Sequence, residues 1–353
     1  GTFYPGELVT GMVVWNVGKP KKARNVYVEF RGYQKTWWQE HYQENYRDAN
    51  GNMATRTKTV TYTETYYFYD VRLVLWSGQG AKQIGSGSYV WPFSFQLPLN
   101  LPPTFRSHSG WNTYTCCAHI DRPMGIDKKI HSELDIKVNY QSFFPEPLIT
   151  MRSKHLPFRS AGEVINMQAY MSDNVAYIGQ NQTLYLVIDN HSSKMVKYAK
   201  VHLHGYKKCY ARGRHKHFEF SPFRDTIKAG FPVPPGSQQS FAITFPIPFQ
   251  SPPSLSAMNS PLIRIHYELH VTCGVSGFLT GNVSTKIPVI VGHIPPPILA
   301  SIVPPTTIQG PPCQLRPLEY NGPVGAPPPP PSPDQFFRHY GMGVETREYK
   351  EGS

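Results

Sequence analysis

"FYPGELVTGMVVWNV", residues 3–17, is a turn followed by alternating apolar positions, and "AYIGQNQTLYLVIDN", residues 176–190, reads almost the same way. Tyr177 and Gly179 stand 173 positions after Tyr4 and Gly6; at the same offset Asn16 falls on Asp189, Gly32 on Gly205 and Tyr33 on Tyr206. A turn pair ahead of alternating apolar residues is an ordinary strand start, so one copy carries little weight. Two copies in register over about thirty residues indicate an internal repeat.

Further along, the offset drops to 150. "FSFQLPLNLPPTF" (93–105) lies on "ITFPIPFQSPPSL" (243–255), pairing Phe95 with Phe245, Pro98 with Pro248 and Pro102-Pro103 with Pro252-Pro253. Tyr114 then falls on Tyr267 at an offset of 153. The drop means that the first copy has the longer middle. Residues 1–148 and 155–294 therefore read as two versions of one domain, with 295–353 left as a tail. A length of 353 residues, at roughly 150 per domain, agrees with that division.

The hydrophobic period is that of strands. In "IRIHYELHVTC" Ile263, Ile265, Tyr267, Leu269, Val271 and Cys273 alternate with polar residues, and Val26, Val28 and Phe30, or Leu184, Leu186 and Ile188, repeat the pattern. Short strands broken by Gly, Pro, Asn and Asp predict an all-β fold of two tandem immunoglobulin-like sandwiches. No normal-length amphipathic helix shows; Gly110 to Thr115 is one stretch left open to a helix.

"YPGELVTGMVVWN", "VYVEFRGY", "FSFQLPLNLPPTF" and "HIDRPMG" resemble the arrestin N-terminal domain, and the repeat in 176–294 resembles the arrestin C-terminal domain. The motifs come in the right order over residues 3–294, and the pattern is most similar to the α-arrestins, the arrestin-domain-containing trafficking adaptors. That resemblance implies a non-catalytic scaffold that links cytoplasmic tails of membrane-protein cargo to trafficking or ubiquitination machinery. It also implies a location in the cytoplasm, peripherally at the plasma membrane or endosomes. A rival of another class is a structural subunit of an endosomal sorting assembly, similar to the retromer arrestin-like component.

Two features depart from the family. Its members begin with a further strand before the "YPGE" turn, so the chain is expected to lack its first strand and to leave a sheet edge open. α-Arrestins also recruit WW domains of ubiquitin ligases through Pro-Pro-x-Tyr, and no such tetrapeptide occurs; Pro317-Leu318-Glu319-Tyr320 keeps Pro317 and Tyr320 but has Leu at the second position. The tail is crowded with proline, which favours extended polyproline II over a packed domain. Pro327, Pro328, Pro329, Pro330 and Pro331 fit an SH3-type aromatic groove or serve as a spacer.

The net charge of +12 is unevenly placed. No acidic residue occurs between Asn190 and Phe218, a stretch that contains Lys194, Lys197 and Lys200 and, as binding candidates, Lys207, Lys208, Arg212, Arg214 and Lys216. Lys19, Lys21, Lys22 and Arg24 form a second cluster, read as lying in the equivalent hairpin of the first domain. A Lys or Arg near an anionic leaflet contributes about 1 kcal/mol, so lipid headgroups and phosphorylated tails are the expected targets of these nine residues. The alternative is a solvated, solubilising turn. Nucleic acid is not expected, because no RRM, KH or zinc-finger pattern accompanies the charge.

In "HLHGYKKCYARGRHKH" a zinc cluster of His202, His204, His215 and His217 with Cys209 requires those rings to meet across a hairpin; the spacings match no known site class, and the reading taken is no metal and no cofactor. Cys116, Cys117, Cys209, Cys273 and Cys313 are odd in number and irregular in spacing, which predicts free thiols and not a secreted disulfide framework. "NQT", "NHS" and "NVS" match the glycosylation pattern without meaning in the cytosol. No G-x-S-x-G elbow, Walker loop or Cys-x-x-Cys occurs, and "HSE" at 131–133 resembles the H-x-E of deaminases without its Cys pair, so no catalysis is expected. "GQGAKQIGSGS" reads as a hairpin loop. The longer middle of the first domain carries Trp37, Trp38, Tyr42, Tyr46, Tyr62, Tyr66 and Tyr67. Sheet packing is its expected role, with the loop at Gln39 to Asn52 the place to look for a partner contact.

Overall fold

The computed structural model describes residues 1–123, 127–138, 148–156, 163–277 and 280–293. All regular structure among them is β, as the period-two pattern requires. In the first lobe β1 (Thr2–Phe3), β3 (Lys21–Arg47), β4 (Met53–Ile84), β7 (Gly110–Asp121) and β8 (Lys128–Ile136) make one sheet in the order β1-β8-β7-β3-β4, with β6 (Phe105–Ser107) paired to β7. β2 (Leu8–Val17) and β5 (Gly87–Gln96) form the facing sheet. The stretch from Gly110 to Thr115 lies within β7 and is strand, paired antiparallel with β3 from Thr36↔Gly110 to Arg31↔Thr115. In "GQGAKQI" Lys82 to Ile84 pair with Lys21 to Ala23 as the end of β4, Gly78 to Ala81 bulge out between that pairing and Asn25–Ser77, with φ of 50° at Gln79 and 117° at Gly80, and the turn into β5 falls after Ile84.

The second lobe repeats this plan. β11 (Val175–Tyr177), β17 (Val283–Gly292), β16 (Ile263–Val275), β13 (Val196–Ala211) and β14 (Arg214–Ile227) form one sheet; β15 (Ser237–Pro246), β12 (Asn181–His191), β10 (Val164–Met171) and β9 (Leu148–His155) form the other. β9 pairs along β10 from His155 to Leu148, so this sheet's edge strand starts at Leu148. On β2 the edge away from β5 has no strand beside it among the described residues, whereas the matching edge of β12 carries β10.

The repeat extends to single hydrogen bonds. Glu7 N–H donates to Tyr4 O and Gln180 N–H to Tyr177 O, each at 3.0 Å; Leu97 N–H donates to Glu7 O and Ile247 N–H to Gln180 O, each at 2.9 Å. Gly6 and Gly179 have φ of 84° and 80°, the left-handed region that glycine enters without strain. The hydroxyl of Tyr114 donates to Pro102 O at 2.6 Å, and that of Tyr267 donates to Pro252 O, the matched proline. In each lobe the apolar face of one sheet meets that of the other: Val13, Trp15, Phe30, Tyr69 and Tyr114 in the first, and Ile165, Leu186, Val201, Phe245 and Tyr267 in the second.

The longer middle of the first copy has a use. β3 and β4 run on as a paired ribbon past their own lobe, so Gln39 to Arg47 is strand and the connection shrinks to a turn at 48–52. Asp48 holds that turn, its carboxylate accepting from Asn50 and Asn52 N–H at 2.9 and 2.8 Å. The ribbon's base packs on the second lobe: Trp38 is buried in that lobe's core with Tyr62 and Tyr66 against it. Tyr42 and Tyr46, nearer the tip, are exposed.

Candidate functional site

The lobes meet through matching strands. Gln34, Thr36 and Trp38 on β3 correspond by the repeat to Lys207, Cys209 and Ala211 on β13, and all six are buried. Gln34 Nε2 donates to Asn112 Oδ1 and Ser260 Oγ, each at 2.7 Å, while its Oε1 accepts from Leu262 N–H at 2.7 Å. Thr36 Oγ1 donates to Tyr210 O at 2.7 Å. The centre of the junction is thus an uncharged amide network whose polar atoms have partners, the condition under which burial is tolerated.

Beside this network lies a cleft of about 810 Å³ between the lobes, lined by Tyr4, Arg106, Lys137, Lys207, Phe249 and His293 among others. That size is ordinary for a ligand site. Arg106 is paired with Glu133 at 2.6 Å and Lys137 with Asp135 at 3.1 Å. Burial, with Lys137 beside it, pushes His293 down to about 4, so its imidazole is neutral near pH 7. Lys207 differs from all of these. Its Nζ donates to Ser107 Oγ at 3.0 Å and lies 4.7 Å from the Phe218 ring centroid, with no carboxylate in ion-pair range among the described residues. Burial pulls its pKa below the usual lysine value. Burial of an ammonium at the wall of a cleft carries a desolvation cost that a nearby negative charge would offset.

The sign of that effect gives a measurable outcome. A lysine whose folded pKa is depressed destabilises the fold while it is charged, and the penalty is relieved as pH rises from its folded pKa to the unfolded value near 10.4. Lys207→Met is expected to raise stability at pH 7 by up to about 1 kcal/mol. It should also flatten the gain that the wild-type chain shows toward alkaline pH, read by urea denaturation at pH 7 and pH 10.

The other basic residues disperse. Arg212 and Gly213 form the β13–β14 turn with φ of 50° and 70°. Arg212 N–H donates to Glu64 Oε2 at 2.6 Å, and Lys216 Nζ to Gln39 O at 3.3 Å, so this hairpin sits against the β3–β4 ribbon. Glu40 lies in the field of Lys216 and Arg214. Lys208 faces the opposite side of the sheet from Lys207 and lies 5.1 Å from the Tyr210 ring. The five residues therefore do not share one face. Lys19, Lys21, Lys22 and Arg24 lie at the β2–β3 turn and the start of β3, and their repeat partner is the β12–β13 turn with Lys194 and Lys197; Arg212, Arg214 and Lys216 belong to the separate β13–β14 hairpin. Arg24 is held by Asp121 at 2.7 Å. Lys19, Lys21 and Lys22 are exposed and have no ion pair among the described residues. Pro317, Tyr320 and Pro327 to Pro331 lie outside the described residues, as does Cys313; Cys116, Cys117, Cys209 and Cys273 are free thiols.

The histidines regroup as well. Register places His215 opposite Tyr210 and His217 opposite Lys208, well along β13 from His202, and Cys209 is buried on the other face. His202 instead pairs with His270 on β16, with His204 alongside. Burial, then the fields of His204, Arg224 and His270, lower the His202 pKa. No local pattern in the sequence links His270 to the other two.

Known proteins agree with this architecture. Residues 1–141 match the family described as Arrestin (or S-antigen), N-terminal domain, and residues 162–296 match its C-terminal domain. Similar relatives include arrestin domain-containing protein 17 of Caenorhabditis elegans, 27% identical over 170 residues that make up 46% of this chain and 39% of that protein. Arrestin domain-containing protein A of Dictyostelium discoideum is 24% identical over 58% of this chain and 35% of its own length. Human arrestin domain-containing protein 4 is 24% identical over 84% of this chain and 69% of its own. The match thus spans well under two thirds of the first two relatives. With both domains matched in order, and the same repeat written in hydrogen bonds and register, the chain belongs to the arrestin superfamily.

Proposed function

We propose that this chain is a non-catalytic adaptor that holds anionic segments of membrane-protein cytoplasmic tails at the cleft between its lobes and hands that cargo to trafficking machinery. The observation that carries the reading is Lys207, a buried cation facing the cleft without a carboxylate partner among the described residues. A phosphorylated side chain brings charge and acceptor oxygens of the kind that ammonium lacks. Lys19, Lys21 and Lys22 supply a separate, exposed patch for anionic headgroups at the cytoplasmic leaflet. Among the described residues no helix is long and apolar enough to cross a membrane, so contact through this patch is peripheral in the proposal. Recruitment of a ubiquitin ligase or an SH3-type partner through the proline-rich tail belongs to the same proposal.

Flotation with vesicles containing phosphoinositide tests the membrane half. Reversing Lys19, Lys21 and Lys22 to Glu should weaken vesicle binding by about 100-fold or more, at about 1 kcal/mol for each lost attraction. Charge reversal at Lys207 is unsuitable here, because it buries a carboxylate in the junction. Fluorescence anisotropy with a phosphoserine peptide and its unphosphorylated twin tests the cargo half; equal binding of both, unchanged in Lys207→Met, would remove it. A stoichiometric, salt-resistant complex on purification would favour the assembly-subunit reading instead.

A further inference from the structure

We propose that His202, His204 and His270 form a zinc site with one open coordination position on the face of the second lobe turned away from its core. The three come from two adjacent strands: His202 and His270 are opposite one another on β13 and β16, and His204 lies two residues along on the same face. Their ring centroids are 4.9, 5.3 and 6.0 Å apart. One ring nitrogen from each lies within 4.8 Å of the other two. Tetrahedral zinc with Zn–N bonds of about 2.0–2.1 Å holds its nitrogens about 3.3 Å apart, so small side-chain rotations close the set without moving the backbone. The strands fix the Cα positions and leave only χ angles to adjust.

Around the rings stands an outer rank of the kind metal-bound imidazoles use. His204 Nε2 meets Glu219 Oε2 at 3.2 Å, His270 Nε2 meets Glu268 Oε2 at 2.9 Å, and His202 Nε2 meets Ser221 Oγ at 2.8 Å. One nitrogen of each ring is thus held by a protein oxygen, which orients the ring, and the proposal assigns the other nitrogen to the ion. Glu268 is itself fixed by Lys286 Nζ at 3.1 Å and Tyr206 Oη at 3.3 Å. Further support comes from stacking: His204 lies flat on Tyr206 at 4.5 Å, and Tyr206 on His266 at 4.8 Å, which holds the His204 ring in place. All three imidazoles are half-buried, shielded from bulk water but open on one side. Three imidazoles with a vacant fourth position suit zinc, and that position accepts water or a side chain from an approaching chain.

Zinc titration of the tag-free full chain by calorimetry tests this, with cobalt as a spectroscopic stand-in whose visible bands report tetrahedral coordination. The expected result is one ion per chain at micromolar or lower concentration. His270→Asn, and the pair His202→Asn with His204→Asn, should each weaken it by at least about 100-fold, more than the ~10-fold expected for Glu268→Gln, which removes only an outer-rank partner. His215→Asn with His217→Asn should leave it unchanged. Thermal melting of each apo variant checks that these half-exposed changes leave the fold intact. Absence of one-to-one binding in the wild type, or binding that survives His270→Asn, overturns the proposal and leaves the three rings as an aromatic ladder. Binding that follows His215 and His217 instead overturns it equally.

Discussion

Gln34→Ala is expected to lower the stability of the folded chain by about 4 kcal/mol, although it alters a single uncharged residue at the junction of the lobes. Its side chain makes three hydrogen bonds inside the junction, to Asn112, Ser260 and Leu262, and its relative exposure is 0%. Truncation strands Leu262 N–H and Asn112 Oδ1 in a dry setting, at about 1–3 kcal/mol for each buried group left unpaired. Asn112 Nδ2 keeps its bond to Pro103 O at 3.0 Å, which holds the side chain in place but does not replace the partner that Oδ1 loses. Urea denaturation gives the magnitude, and hydrogen exchange at Leu262 shows where it arises. A loss below 1 kcal/mol would mean that water takes over the amide's role and that the network does not hold the lobes. Gln34→Glu is expected to do as badly, since it buries a charge beside acceptors.

The second large effect separates two adjacent tryptophans. Trp38→Ala should cost about 3–5 kcal/mol, the range for removing a large aromatic side chain from a core. Trp38 is 3% exposed, lies in the second lobe's apolar cluster and stacks on Tyr62 at 5.4 Å. Trp37→Ala, on the opposite face and 39% exposed, should cost less than about 1 kcal/mol. Thermal or chemical melts of the two variants side by side decide the point. Equal costs would show that the β3–β4 ribbon is not anchored on the second lobe, and the meaning given to the first copy's longer middle would fall with it.

Gln34 and Lys207 put the two copies' divergence in one place. They are equivalent by the repeat and both face the junction, yet one is an amide with every partner made and the other an ammonium with a single serine. The same position of the repeat is structural in one lobe and, in the proposal, ligand-binding in the other. Stability does not explain the lysine, because a buried unpaired cation is a cost to the fold.

The lobes were legible in the chain because what specifies them is local. Period-two alternation sets which face of a strand is buried, and Tyr4-x-Gly6 and Tyr177-x-Gly179 mark the same turn with the same left-handed glycine. The paired prolines and the tyrosines Tyr114 and Tyr267 were visible as a repeat before their hydrogen bonds were seen. The lysine clusters were visible as composition, but not their fate: the same alternation that builds β13 sends Lys207 to the junction and Lys208 to the other face. His270 joining His202 and His204, and Gln34 reaching Ser260 across 226 residues, depend on register between distant strands and on how one sheet meets another. Those contacts are chosen by the free energy of the assembled fold and leave no short-range pattern. Alternation and turn chemistry could therefore specify two sandwiches, whereas the junction, the cleft and the histidine triangle came into being only when the strands were laid side by side.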